Sequence, residues 1–295
     1  MGARRDSASR ASSAPTVAII GPGRVGQALG RLLARSGVRI GWVAARSRSN
    51  ARQAARFIGA GRPVTLDSAE VVHADVLLIT TSDSALAEVS KALAARRDDW
   101  RGVVVIHTSG AWSASCQHSV LEPFRKRGAA AASLHPLQTV PSREAGVRNL
   151  IGGFWAIEGD RKAVQLARQW ARALRGSTFA LRSSRKPAYH AAAVIACAGV
   201  VALMEGSRRV LGRCGLEPKQ ARRVLQRFVA ETAGNFAALG ARRALTGPAV
   251  RGDWATLRQH QAALRELAPD LLPLYRELNR CMLKIAAGKR FRRTA

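Results

Sequence analysis

In the segment RKPAYHAAAVIACAGVVALMEG (185–206), Lys186, Tyr189 and His190 stand at the mouth of an otherwise apolar run. On a helix, residues three and four apart share a face, so an amine, a phenol and an imidazole would converge within one turn. A lysine partly desolvated there could orient or protonate a carbonyl oxygen as hydride arrives, with His190 or Tyr189 relaying the proton. The competing reading is a helix start whose polar residues merely face water. More polar groups stand where short apolar runs end: TTSD (80–83), HTSG (107–110) and SLHPLQT (133–139). Ligands of open α/β sheets bind outside the carboxyl ends of strands, so these hydroxyls, amides and imidazoles would line one crevice. Lys186, His190, His135 and Ser109 form the candidate catalytic set, His135 being stiffened by Pro136. His107 divides evenly between capping its strand and a chemical role.

The stretch Gly21-Pro22-Gly23-Arg24-Val25-Gly26 follows the β-branched run TVAII (16–20) and opens an amphipathic stretch (27–35). That context is what the dinucleotide fingerprint requires. The first glycine permits the tight turn, the second lets backbone approach a pyrophosphate, and the third lets helix and strand pack closely. Phosphate would then lie on the helix N-terminus, where free N–H groups and the dipole favour an anion. About twenty residues on, an NAD site would present Asp or Glu to the ribose. This chain has Arg46, Ser47 and Arg48 instead, two guanidiniums and a hydroxyl suited to a 2′-phosphate, so NADP (NADPH) is the expected cofactor. Thr81 and Ser82 complete the expected cofactor set. No metal site is expected. In so arginine-rich a chain, chance placement of Arg46 and Arg48 is the competing reading.

The elements that must position these groups alternate strand and helix up to about residue 181. Strands are expected at 16–20, 38–45, 75–80, 103–107, 130–135, 154–158 and 177–181, with helices at 27–35, 50–58, 85–96 and 161–174. Strands separated by helices of this length imply parallel βαβ units. Beyond Lys186 only helices are expected, at 186–214, 218–239, 254–267 and 270–287, with Gly215 and Pro218 as the first break.

The chain has 295 residues, 47% hydrophobic, and can bury one large core or two smaller ones. The start lacks the apolar region of a secretory signal, and no uncharged apolar run reaches about 18 residues, so neither export nor a membrane span is expected. Cys116, Cys197, Cys214 and Cys281 show no paired spacing, which suits reduced thiols in the cytoplasm. The formal charge of +29 invites a nucleic-acid reading. Yet arginine is dispersed along the chain beside abundant alanine and glycine, as coding bias would leave it. No aromatic-and-basic strip accompanies it, so specific nucleic-acid binding is not expected.

Taken together, GPGRVGQALGRLL, SLHPLQT, FWAIEGD, KPAYHAAAVIA and ALTGPAVRGD resemble the Rossmann-like proteins that carry a C-terminal domain of unknown function 2520. The resemblance runs from about residue 16 to 287. It implies an NADP-binding α/β Rossmann domain with a parallel sheet, followed by an all-helical domain of the 6-phosphogluconate dehydrogenase C-terminal type, often dimeric. It is also distantly similar to pyrroline-5-carboxylate, ketopantoate and hydroxyacid reductases. The chain departs from the pattern at Cys197-Ala198-Gly199, where a polar Ser-Asn-Tyr-like stretch is expected.

The expected organisation is a disordered basic tail (1–15), a nucleotide-binding domain (16–181), a helical substrate and dimerisation domain (182–288) and a second basic tail (289–295). In the helical part, Thr246-Gly247-Pro248 breaks the pattern and Asp253 can cap the helix opened by Trp254. The favoured function is an NADP-dependent oxidoreductase acting on a small anionic carbonyl, imine or hydroxy acid, as a cytoplasmic homodimer. The alternatives are a non-catalytic NADP-binding sensor or scaffold and, third, a nucleic-acid-associated protein.

Overall fold

The computed structural model describes residues 14–288, and the expected basic tails lie outside them but for residues 14 and 15. Eight strands, β1 (Val17–Ile20), β2 (Ile40–Ala45), β3 (Arg62–Thr65), β4 (Val76–Ile79), β5 (Val104–His107), β6 (Ala130–Pro136), β7 (Phe154–Gly159) and β8 (Ser177–Ala180), form one sheet in the order β3-β2-β1-β4-β5-β6-β7-β8. The central strands are short, β-branched and buried on both faces, as a sheet covered by helices demands. Alternate residues feed two cores. Ile19, Leu78 and Ile106 pack with α1 (Arg24–Arg35), α2 (Arg48–Ile58) and α6 (Arg161–Ala173). Ile20, Leu77 and Val105 pack on the other face with a 3-10 turn (Ala69–His73), α3 (Asp83–Ala94) and α4 (Glu122–Arg125). The remaining helix of this half, α5 (Arg143–Asn149), lies on the α1 side, where Gly146 abuts Ala28.

The sheet is parallel except where β7 runs antiparallel to β6, a correction to the fully parallel reading. The Leu137 N–H donates to the Phe154 carbonyl at 2.8 Å, so the connection closes at the edge it left and β7 must run back. β3 is absent from the strands expected from the sequence; it is short and contains Pro63. It is an edge strand, where a missing proline donor is tolerated.

The chain divides into two compact units at Val194/Ile195, later than the expected boundary at 181/182. The expected helix at 186–214 is realised as α7 (Lys186–Val194), a π-helical turn (Ile195–Gly199) and α8 (Val200–Arg213), so the Cys197-Ala198-Gly199 departure falls within the π turn. Against the expectation that no uncharged apolar run reaches about 18 residues, an 18-residue window within Ser183–Arg213 has mean hydropathy 1.7 and none of it is buried; by length and composition alone this segment is able to cross a membrane. The second unit continues with α9 (Pro218–Ala244), broken at Gly240 with φ 71°, then α10 (Pro248–Arg251), α11 (Trp254–Leu267) and α12 (Leu272–Ala286). Asp253 caps α11 by accepting from the Thr256 N–H at 3.1 Å.

Candidate functional site

The strand order reverses direction between β1 and β4, and the loops leaving these two strands flank the crevice where such sheets bind ligands. Gly21 leaves β1 at φ 65°, a conformation that favours glycine, and a β-carbon there would meet Thr81 Cγ2 at 2.3 Å. A β-carbon on Gly26 would fall 2.1 Å from Thr80 Oγ1, so the third glycine serves the packing of α1 on β4. At Gly23 the nearest atom to such a carbon is the Thr80 carbonyl oxygen, 4.0 Å away. Protein packing therefore does not explain Gly23, whereas the close approach of a ligand does. Gly23 is also the N-cap of α1 and offers no side-chain cap, so the N–H groups of the first turn stay available. Pro22, which lacks a donor, accepts from Gln27 Nε2 at 2.9 Å, bracing the turn. Arg24 donates to the Pro141 carbonyl at 3.1 Å, and Val25 sits half-buried behind it.

Beyond β2, Arg46 and Arg48 are exposed and make no hydrogen bond or ion pair among the described residues. Ser47 is the N-cap of α2, its hydroxyl accepting from the Asn50 N–H at 3.2 Å while its own O–H remains free to donate. Thr81 Oγ1 is buried without a partner, and Ser82 Oγ lies 3.0 Å from Ser84 Oγ. An uncapped helix start, an open Gly23 and two unpaired guanidiniums fit a dinucleotide carrying an extra phosphate: α1 would hold the pyrophosphate and Arg46 to Arg48 the 2′-phosphate.

The candidate catalytic residues occupy two different environments. Lys186 is fully buried, donating to the Ser109 carbonyl at 2.9 Å and to Ser133 Oγ, with Glu158 Oε1 3.8 Å away. Burial lowers its pKa to about 8 against the opposing pull of Glu158. Its donors face protein, so Lys186 reaches no open space from which to protonate a substrate. Ser109 likewise builds structure: its Oγ accepts from the N–H groups of Ala111 and Trp112 at 3.2 and 3.0 Å. Glu158, which sequence reasoning passed over within FWAIEG, organises the cluster. It accepts from the Ala114 N–H at 2.7 Å, Ser115 Oγ at 2.6 Å and Ser183 Oγ at 2.7 Å. A glutamate at an inward-facing position of an otherwise apolar strand was the available signal.

His135 and Tyr189 meet directly, His135 Nδ1 lying 2.7 Å from the Tyr189 hydroxyl, and the His190 ring stands 5.8 Å from His135. A β-carbon on Gly110 would strike both imidazoles, so that glycine admits the pair. Desolvation, then Lys186 and His190, lower the His135 pKa to about 3, while burial raises that of Tyr189 to about 12. Both are neutral at physiological pH. His107 is wholly buried: its Nδ1 accepts from the Ser109 N–H at 3.1 Å and Nε2 has no partner. Burial holds its pKa well below the usual value, which suits the strand-end reading rather than proton exchange. Among the described residues no cluster of His, Cys, Asp or Glu could hold a metal ion.

The first unit is thus a Rossmann-like nucleotide-binding fold, followed in sequence by a helical region. Family comparison agrees: a Rossmann-like domain matches residues 2–136, and the domain of unknown function DUF2520 matches 153–282. The chain belongs to the Rossmann-like proteins with a C-terminal DUF2520 domain. Comparison with curated proteins finds no match. Among solved structures, the fold matches a candidate NADP oxidoreductase of Bacteroides fragilis with TM-score 0.73 and 24% identity, over 92% of this chain and 98% of that one. A Thermotoga maritima protein matches with TM-score 0.70 and 25% identity over the same shares. A reductive aminase of Aspergillus terreus, in complex with NADPH and ethyl levulinate, matches with TM-score 0.67 and 15% identity, over 93% of this chain and 98% of that one.

Proposed function

We propose that the chain is an NADP-dependent oxidoreductase acting on a small anionic carbonyl, imine or hydroxy acid, as a cytoplasmic homodimer. The observation that carries this reading is the open approach to Gly23 at the uncapped start of α1, flanked by the unpaired Arg46 and Arg48. The nicotinamide, when bound, supplies or accepts hydride. The protein's own contribution is a hydrogen-bonded neutral pair, Tyr189 and His135, beyond the end of β5. Because His135 is held neutral to about pH 3, the proton passed to a substrate oxygen or nitrogen comes from a neutral donor of this pair, not from an imidazolium. Lys186 acts as a positioning residue: it fixes the start of α7 and, with it, Tyr189 one turn later. The formal charge of +29 favours an anionic substrate by long-range attraction.

The absence of an accessible charged acid among these residues favours one second reading, a sensor that binds NADPH without turning it over. Binding titrations followed by a panel of small oxo acids and imines separate the two. NADPH is expected to bind more tightly than NADH, and Arg46→Ala with Arg48→Ala to close the gap by about 1.5–3 kcal/mol, the worth of a hydrogen bond to a charged group. Equal affinity for both cofactors would end the NADP reading. Tight NADPH binding without oxidation by any substrate, where Tyr189→Phe also changes nothing, would favour the sensor.

A further inference from the structure

Basic residues are unevenly divided between the two helical layers of the first unit. The layer of α1, α2, α5 and α6 carries twelve Arg or Lys residues and a single carboxylate, Glu144. The opposite layer, made of Ala69–His73, α3 and α4, carries two basic and four acidic residues. A coding bias toward arginine would enrich both layers alike, so the segregation is a property of the face. From Arg24 to Arg62 the chain has nine arginines and neither Asp nor Glu.

The spacing is also organised. Arg48, Arg52 and Arg56 follow one another four residues apart along α2, all exposed, and Arg168 and Arg172 repeat the interval on α6. Like charges at that spacing repel and destabilise a helix, so the stripes work against the elements that bear them. Arg52, Arg56, Arg168 and Arg172 make no hydrogen bond or ion pair among the described residues. Eight residues of helix span about 12 Å, a length over which a nucleic-acid duplex presents about seven phosphates.

The chemistry of the face selects among anionic partners. Among the described residues, none of the large exposed hydrophobic side chains lies on α1, α2, α5 or α6. A protein partner would need an apolar interface core, a membrane surface an apolar helix face, and a single strand aromatic platforms for its bases. A duplex backbone needs only guanidiniums, which grip phosphate oxygens bidentately. We infer that the α1, α2, α5, α6 layer is a docking surface for the phosphate backbone of a nucleic-acid duplex, bound without regard to base sequence. It shares Arg24 and Arg48 with the cofactor reading, but its test rests on Arg52, Arg56, Arg168 and Arg172, which belong neither to the Gly23 crevice nor to the Tyr189–His135 pair.

The test is fluorescence anisotropy of the full chain with a labelled random-sequence duplex of about 24 base pairs, titrated across salt. One variant replaces Arg52, Arg56, Arg168 and Arg172 with Gln. A control of equal charge replaces Arg222, Arg223, Arg242 and Arg243, all exposed in the second unit. The layer variant is expected to bind at least about tenfold more weakly, and its slope of log affinity against log salt to flatten by up to about 3.6, since each lost phosphate contact removes about 0.9. The control should lose no more than about threefold. Equal losses in the two variants would reduce the effect to net charge and overturn the surface. So would tighter capture by phosphatidylserine vesicles or by a 24-nucleotide single strand. NADPH titration of the layer variant should match wild type, which separates failure here from failure of the crevice reading.

Discussion

At the scale of single residues, the glycines of the fingerprint answer to different forces, and the difference is measurable. Gly26→Ala would place a methyl group 2.1 Å from Thr80 Oγ1 and 2.8 Å from its Cβ, so α1 or β4 must shift. Overpacking of this kind costs about 1–3 kcal/mol. Gly23→Ala meets nothing closer than 4.0 Å. It is expected to leave the melting temperature within a degree or two of wild type while weakening NADPH binding by on the order of tenfold or more, because only a bound pyrophosphate would feel the methyl. Paired thermal melts and cofactor titrations check both halves, and an unchanged affinity in Gly23→Ala would remove the ligand explanation for that glycine. The sequence made this distinction legible, since the fingerprint assigns each glycine its task. It could not disclose that Lys186 and Ser109 face inward. Their types and spacing suit catalysis, and only the fold shows where their hydrogen bonds go: those of Lys186 to the Ser109 carbonyl and Ser133 Oγ, those of Ser109 Oγ to the Ala111 and Trp112 N–H groups.

At the scale of elements, the Lys186–Glu158 cluster ties together the ends of β5 and β6, strand β7, the loop at 113–115 and the start of α7. Strands β1, β4 and β5 were legible because they are short, β-branched and bounded by turn residues. The reversal at β7 was not, because direction depends on where a connection closes, here the Leu137–Phe154 hydrogen bond. The cluster predicts an alkaline signature. Lys186 titrates near 8 in the folded chain against 10.5 for a free lysine, so the unfolded state binds the extra proton between those values. Stability must therefore rise as pH increases from about 8 toward 10, by on the order of 2–3 kcal/mol. Tyr189 acts in the opposite sense, since a folded pKa of about 12 against 10 makes its contribution fall away through that higher range. Urea unfolding at pH 7.5, 9 and 10 should show the rise in wild type and its loss in Lys186→Met. That variant should also be less stable at pH 7.5 only if the charged lysine's contact with Glu158 outweighs its desolvation. A flat profile in both proteins would mean that the amine is solvated.

At the scale of the whole molecule, the second unit lacks the core that its size calls for. Among the described residues, the buried hydrophobic side chains of this unit are Ala221, Leu225, Ala249, Leu257, Ala268 and Leu272. Large apolar side chains stand exposed instead: Ile195 at 72%, Val201 at 65%, Phe228 at 65%, Phe236 at 61% and Trp254 at 55%. Monomers rarely expose so many together, and helices apolar on several sides are normally covered. A second copy presents the same surfaces and could cover them by two-fold symmetry, burying more than about 2,000 Å² if the pairing is obligate. The formal charge of +29 opposes such pairing, but screening at about 10 Å in 0.1 M salt confines the repulsion to near neighbours, leaving apolar burial as the larger effect. A membrane is the competing cover, given the apolar window within Ser183–Arg213. Tyr189 and His190 argue against it, since both meet His135 of the first unit, and the apolar stretch from Ala191 to Met204 is shorter than the roughly 20 residues a span needs. Sedimentation at micromolar concentration in 0.15 M salt without detergent is expected to give twice 31.6 kDa. Phe228→Asp with Phe236→Asp should shift the distribution to monomer while leaving NADPH affinity within about threefold. A wild-type monomer of 31.6 kDa in that buffer, or a chain that remains in solution only with detergent, would rule the dimer out.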